Sequence, residues 1–72
     1  MEKKIIRLKC IRSDWDVDFT VGVTYIATYD SITSILFRED TYNIIDNQGF
    51  KRHMTLKNHL FDFEIVEVNY ED

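Results

Sequence analysis

The sequence predicts an all-β domain, a small and partly open five-stranded antiparallel barrel. Three observations lead to this fold class. Short stretches of alternating apolar and polar residues recur along the chain, which is the pattern of half-buried strands. The two glycines, Gly22 and Gly49, each stand where a turn would join two such stretches, and proline is absent. A chain of 72 residues with 44% hydrophobic and 14% aromatic residues is expected to form one domain, spanning 1–72, with one aromatic core.

The first strand is predicted over residues 3–11. These residues alternate, so that Ile6, Leu8 and Cys10 share one face while Arg7 and Lys9 occupy the other, which Ile5 and Ile11 flank at its ends. The alternation therefore places those three side chains in the core.

The stretch Phe19–Tyr25 organises the rest of the chain, because an acidic loop ends there and a second strand begins. Residues 12–18 are mostly polar and are predicted to form a loop. Gly22 can take the positive φ that a tight turn requires. Residues 23–29 then alternate again, with the odd-numbered residues on one face.

Residues 31–40 form an apolar insertion whose secondary structure the sequence leaves open. Ile32, Ile35 and Leu36 match one face of a helical turn, whereas residues 34–38 fit a short strand equally well. The large side chains of the insertion either form an exposed patch that marks a protein interface or close one open end of the barrel.

A hairpin is predicted after the insertion. The strand 42–45 ends at Asp46–Gly49, where Gly49 suits the left-handed position of the turn, and residues 50–54 pair back on it. Phe50 and Phe61 are expected in the core.

The closing part of the chain is predicted to contain a helical turn and the fifth strand. The spacing of Leu56 and Leu60 predicts one short helical turn between them. The last strand, 61–68, changes phase after Ile65, which indicates either a bulge or burial on both faces. Residues 69–72 are predicted to be a frayed acidic tail.

No group of residues carries recognisable catalytic or metal-binding chemistry. Asp14, Asp16 and Asp18 have the spacing of the first ligands of a calcium loop, but Phe19 stands where that loop needs glycine. Tyr25 likewise stands where the loop needs glutamate. We therefore interpret the three aspartates as a solvated acidic loop.

The remaining soft ligands also fail to form a site. Cys10, His53 and His59 lack the short paired spacing of zinc ligands. There is no glycine-rich phosphate loop and no nucleophile elbow, and no apolar stretch approaches the roughly 20 residues that span a bilayer. A single cysteine fits a reducing compartment. We predict a cytoplasmic protein that is not an enzyme and that binds no metal, cofactor or membrane.

A second basic cluster, after the one in the first strand, supports an alternative hypothesis, a small nucleic-acid-binding barrel. Lys51, Arg52 and Lys57 lie close in sequence to Phe50 and Phe61, and basic residues interleaved with aromatic ones are typical of single-strand binding. The net charge of −4 argues against general phosphate binding.

Several runs resemble one group of proteins. The runs 8–11, Phe19–Tyr25 and Tyr42–Gly49, with the phenylalanine-rich closing strand, resemble small Src-homology-3-like (SH3-like) barrel proteins of phages and bacteria. Most of that group has no assigned activity. The resemblance implies an SH3-like barrel, with an OB-like barrel as the alternative. Val23 departs from the group's pattern, where a lysine is usual, and 31–40 is an insertion.

The predicted function is protein binding. The resemblance implies a phage or mobile-element protein that inhibits or redirects a host protein, for example a defence or transcription factor. A small acidic domain without catalytic residues can act by covering a surface, and large apolar residues are its best anchors. The predicted anchors are Trp15, Ile32, Ile35, Leu36 and Phe37. Trp15 is either an anchor beside the usual ligand groove or a lid on the core, and the insertion is also a candidate homodimer contact.

Overall fold

A single antiparallel sheet forms the body of the protein. The computed structural model describes residues 3–71. Its elements are β1 (Lys3–Ser13), β2 (Thr24–Tyr29), α1 (Ser31–Phe37), β3 (Tyr42–Ile45), β4 (Lys51–Met54) and β5 (Phe61–Glu71). The strand order is β4-β3-β2-β1-β5, with every neighbouring pair antiparallel. The predicted all-β class with five antiparallel strands is therefore confirmed.

One face of the sheet is buried, and its side chains form the core together with Phe19 of the β1–β2 loop. The predicted core face of β1 is confirmed, since Ile6, Leu8 and Cys10 are fully buried. Within residues 3–71 no helix forms a second layer over this face, so the sheet must curl around its core as a barrel does. The core consists of Ile6, Leu8, Cys10, Phe19, Tyr25, Ala27, Tyr42, Ile44, Phe61 and Phe63.

Phe19, a loop residue, lies at the centre of the aromatic core. Its ring packs edge-to-face against those of Tyr25, Phe61 and Phe63, with centroids 4.9, 4.9 and 5.1 Å away. The Ser13 hydroxyl donates to the Phe19 carbonyl at 2.6 Å. The long β1–β2 loop is therefore part of the core.

Both glycines have a positive φ, +89° at Gly22 and +87° at Gly49. A Cβ added at either position would meet no atom within 4 Å. Glycine is therefore required at these positions for its positive φ, and not because a side chain would lack space.

We expect Gly22→Val to lower the free energy of unfolding by about 1–2 kcal/mol, because a β-branched residue is strained at positive φ. Urea denaturation measures this loss. Val21→Ala, at an exposed neighbouring site, should stay within about 0.5 kcal/mol of the wild type. An equal loss in both variants would contradict the conformational explanation.

The predicted helical turn between Leu56 and Leu60 is wrong, because this segment is a bent chain that lies along β5. The Asn58 side-chain oxygen accepts hydrogen bonds from the amides of Leu60 and Phe61, both at 3.0 Å. These bonds replace the backbone bonds of a helical turn. The one short helix of the described chain is α1 instead.

The prediction of a frayed tail is also wrong for residues 69–71, which continue β5 beside the start of β1. Asp72 lies outside the described residues. The predicted bulge is confirmed, since Arg7 pairs with Glu67 and Leu8 with Ile65, leaving Val66 without a partner on β1.

The two phenylalanines expected in the core differ. Phe61 is buried, but Phe50 is exposed. The backbone of Phe50 closes the hairpin turn through two bonds to Asp46, both at 2.9 Å. The residue therefore belongs to the turn before β4.

Candidate protein-interaction site

The site is built on α1, whose start is fixed by Asp30. The Asp30 carboxylate accepts hydrogen bonds from the amide of Thr33 at 3.0 Å and from its hydroxyl at 2.8 Å. Its second oxygen lies 3.4 Å from Nδ1 of His53 on β4. The bonds from Thr33, followed by the contact with His53, lower the pKa of Asp30. An N-cap aspartate of this kind explains why the helix begins at Ser31.

The side of α1 that faces the barrel is polar. Ser34 is its buried residue. The Ser34 hydroxyl accepts from the Thr41 amide at 2.8 Å and donates to the Thr41 carbonyl at 3.3 Å. The helix ends at Arg38, which has a φ of +55° and donates its amide to the Ser34 carbonyl. Polar bonds therefore attach α1 to the loop before β3.

The large apolar side chains of α1 are open to solvent. We call Ile32, Ile35, Leu36 and Phe37 the α1 apolar face. Each is between 73% and 75% exposed. The insertion 31–40, whose secondary structure the sequence did not determine, thus contains a helix. The expectation that these side chains close an end of the barrel is wrong, because the bonds of Ser34 turn them outward.

Trp15 does not join the α1 apolar face. It lies in the β1–β2 loop, which precedes β2, whereas α1 follows β2, so the two occupy opposite ends of that strand. Its side chain is 55% exposed, so the interpretation of Trp15 as a lid on the core is wrong. The structure therefore divides the predicted anchors into a group of four and a single distant tryptophan.

The predicted nucleic-acid residues are not equivalent. Arg52 donates to Asp18 at 3.0 Å and to Asp46 at 3.3 Å, which places its guanidinium between two carboxylates. Lys51 and Lys57 are exposed. Arg52 therefore already pairs with two carboxylates of the protein, whereas the alternative hypothesis assigned it to phosphate binding together with Lys51 and Lys57.

Comparison with known proteins identifies no relative of this chain: no family model matches, and neither curated proteins nor solved structures show significant similarity. The resemblance to SH3-like barrel proteins of phages and bacteria therefore stays a prediction. Among residues 3–71 no helix is both long and apolar enough to cross a membrane.

The residues considered as metal ligands are dispersed. Asp14 pairs with Arg12 at 2.9 Å, and His53 pairs with Asp30. Burial raises the pKa of the Cys10 thiol, which donates to a backbone carbonyl. In the described part of the chain no three metal-binding side chains lie together.

The residues that position α1 were missed by the sequence analysis. Asp30 comes just before the apolar residues of the insertion, and aspartate is a preferred N-cap residue, which is a helix-start signal. That signal could have predicted the helix. The bonds between Ser34 and Thr41 have no local signal, because they depend on how the chain returns to the sheet.

Proposed function

We propose that this protein is a non-enzymatic protein-binding module that contacts its partner through the α1 apolar face. One observation carries the proposal: a seven-residue helix buries a serine and exposes four large apolar side chains. Burying each such side chain stabilises a structure by about 1.5–3 kcal/mol. Contiguous apolar patches of this kind mark interfaces.

The partner surface should be an apolar groove about two helical turns long. The residues after the helix, Arg38, Glu39 and Asp40, are exposed. They supply the polar rim that surrounds the apolar centre of a typical interface. The α1 apolar face is therefore suited to inserting into a concave site on another protein.

We also propose an origin for this protein and for its partner. The resemblance of Phe19–Tyr25 and Tyr42–Gly49 to small barrel proteins of phages supports a phage or mobile-element protein. Such a protein would inhibit or redirect a host protein, for example a defence or transcription factor.

The experiment compares the wild type with the double variant Ile35→Asp/Leu36→Asp. Each protein is used to capture partners from host lysate, and the captured partner is then purified for titration. We expect the double variant to bind about 100- to 1,000-fold more weakly, because two central anchors of about 2 kcal/mol each are replaced by charges. Affinity should change little between low and moderate salt, whereas phosphate binding would fall steeply.

Val17→Asp/Val21→Asp is the matched control. It adds the same charge at two exposed valines outside α1, so it should retain the affinity of the wild type. Equal affinity of the α1 variant and the wild type would overturn the proposal. Capture of nucleic acid without a protein would favour the alternative function.

Light scattering of the same proteins tests a second copy as the partner. If the wild type is a dimer that Ile35→Asp/Leu36→Asp dissociates, the α1 apolar face serves self-association, and the proposal of a foreign partner is wrong. The melting temperature of this variant should match that of the wild type, because both side chains are exposed.

A further inference from the structure

The outer edge of β5 is free over most of its length. β5 stands at one end of the strand order, so β1 is its strand partner. The chain before β5 covers the first residues of the outer edge. The Phe63 amide donates to the Leu56 carbonyl at 2.7 Å, and the Asn58 amide donates to the Phe61 carbonyl at 3.0 Å. From Glu64 to Glu71 no strand within residues 3–71 pairs with this edge.

The register identifies which backbone groups point at the free edge. Cys10 exchanges two backbone hydrogen bonds with the chain on the β2 side. Because the bonding direction alternates along a strand, Ile6 and Lys4 also point toward β2. Val68 and Tyr70 lie opposite these two residues. Their N–H and C=O groups therefore point away from β1, toward the free edge.

The core side of this edge is incompletely covered. Ile65 lies opposite Leu8, and Val68 lies opposite Ile6. The two β1 residues are 0% exposed, whereas Ile65 is 45% and Val68 39% exposed. A sixth strand beside β5 would cover these side chains and extend the core.

The charge of β5 selects the kind of strand that fits. β5 carries four acidic residues and no basic one, and β1 carries five basic residues and no acidic one. These opposite charges form ion pairs between β1 and β5. Arg7 Nε lies 3.8 Å from a Glu67 oxygen, and Arg12 Nε lies 3.3 Å from an Asp62 oxygen. A β5 strand from a second copy would oppose acidic residues to acidic residues, which is destabilising.

We propose that the free edge of β5 binds an extended segment of a partner protein, with alternating basic and apolar residues, as a sixth strand. Backbone bonds to Val68 and Tyr70 hold the segment, its apolar residues cover Ile65 and Val68, and its basic residues face the glutamates. Strand addition to an exposed edge is a common mode of peptide recognition. This inference goes beyond the α1 apolar face, because it uses different residues.

The probe is a labelled peptide of about eight residues that alternates lysine and valine, with an otherwise identical glutamate–valine peptide as the control. Fluorescence anisotropy gives the affinities, and NMR amide shifts with hydrogen exchange locate the contact. We expect the lysine peptide to bind at least about tenfold more tightly than the glutamate peptide. The amides of Val68 and Tyr70 should become protected from exchange.

Val68→Pro removes an amide that faces the free edge, a position where proline is tolerated. It should weaken binding of the lysine peptide at least about tenfold, while Val68→Thr retains it. Glu64→Lys/Glu67→Lys provides a test independent of the proline, and it should reverse the preference between the two peptides.

Unchanged binding to Val68→Pro, or an unchanged preference in the lysine variant, would overturn the inference. Loss of peptide binding in Ile35→Asp/Leu36→Asp alone would assign the peptide to α1 instead. A wild-type dimer that Val68→Pro dissociates would show that the edge is occupied by a second copy, which also contradicts the proposal. Failure of the α1 proposal would not affect the results for Val68→Pro and Glu64→Lys/Glu67→Lys, because these variants leave α1 unchanged.

Discussion

Replacing Phe19 with alanine is expected to lower the free energy of unfolding by about 3–5 kcal/mol, the usual range for removing a buried phenylalanine. Domains are stable by about 0.05–0.15 kcal/mol per residue, which is roughly 4–11 kcal/mol for 72 residues. The ring of Phe19 contacts three other aromatic rings. One substitution in a loop should therefore remove about a quarter or more of the total stability.

Phe50→Ala is the matched control, since it makes the same chemical change at an exposed side chain. It should stay within about 0.5 kcal/mol of the wild type. Urea denaturation followed by circular dichroism measures both variants. Similar losses at the two positions would show that the β1–β2 loop is not part of the core.

The largest loss from a polar substitution is expected at Asp46. Its buried carboxylate accepts the amides of Gln48 and Phe50, both at 2.9 Å, and pairs with Arg52 at 3.3 Å. Burial alone would raise the pKa of Asp46, but the two amides and the guanidinium outweigh it and lower the pKa. Asp46→Asn should therefore melt below the wild type, because the two amides lose a charged acceptor and Arg52 keeps only the carboxylate of Asp18.

The pH dependence of stability follows from the direction of this pKa shift. A carboxyl whose pKa is lowered by folding contributes its full stabilisation above its ordinary pKa, about 4. That contribution is lost as the pH falls through the lower pKa of the folded state. Between pH 4 and this lower value the wild type should lose more stability than Asp46→Asn. Asp30 has the same direction of shift and is present in both proteins, so the difference isolates Asp46.

Asp14→Asn is the control, because Asp14 makes an exposed pair with Arg12 that contributes little. Its melting temperature at neutral pH should match that of the wild type. If Asp46→Asn and the wild type lose stability in parallel below pH 4, the hairpin carboxylate is not the group that titrates.

The strands and most of the core could be predicted from the sequence because they depend on local alternation. Ile6, Leu8 and Cys10 alternate with charged residues, and a period of two fixes their common face whatever the rest of the chain does. The turn glycines were predicted for the same reason, since a positive φ is a local requirement. The sequence could not decide between helix and strand for α1, because its short apolar run fits both the helical period of 3.6 residues and the strand period of two.

The candidate site depends on contacts that local patterns do not encode. The outward orientation of Ile35 and Leu36 is set by the bond between Ser34 and Thr41, seven residues away along the chain. Trp15 precedes β2 and α1 follows it, so their separation depends on β2 forming a strand between them. The extension of β5 to Glu71 required knowing that β1 lies beside it, because an acidic end read alone is typical of a tail.

The pairing of β1 with β5 also sets the order of events when the chain is made. Lys3 pairs with Glu71 in this register, so β1 lacks one of its two neighbours until β5 has been synthesised. Until then Phe19 lacks Phe61 and Phe63, and the aromatic core cannot assemble. Folds dominated by such distant contacts form in milliseconds to seconds. The barrel should therefore close only after β5 has emerged, and the exposed nascent strands are open to pairing between chains during that interval.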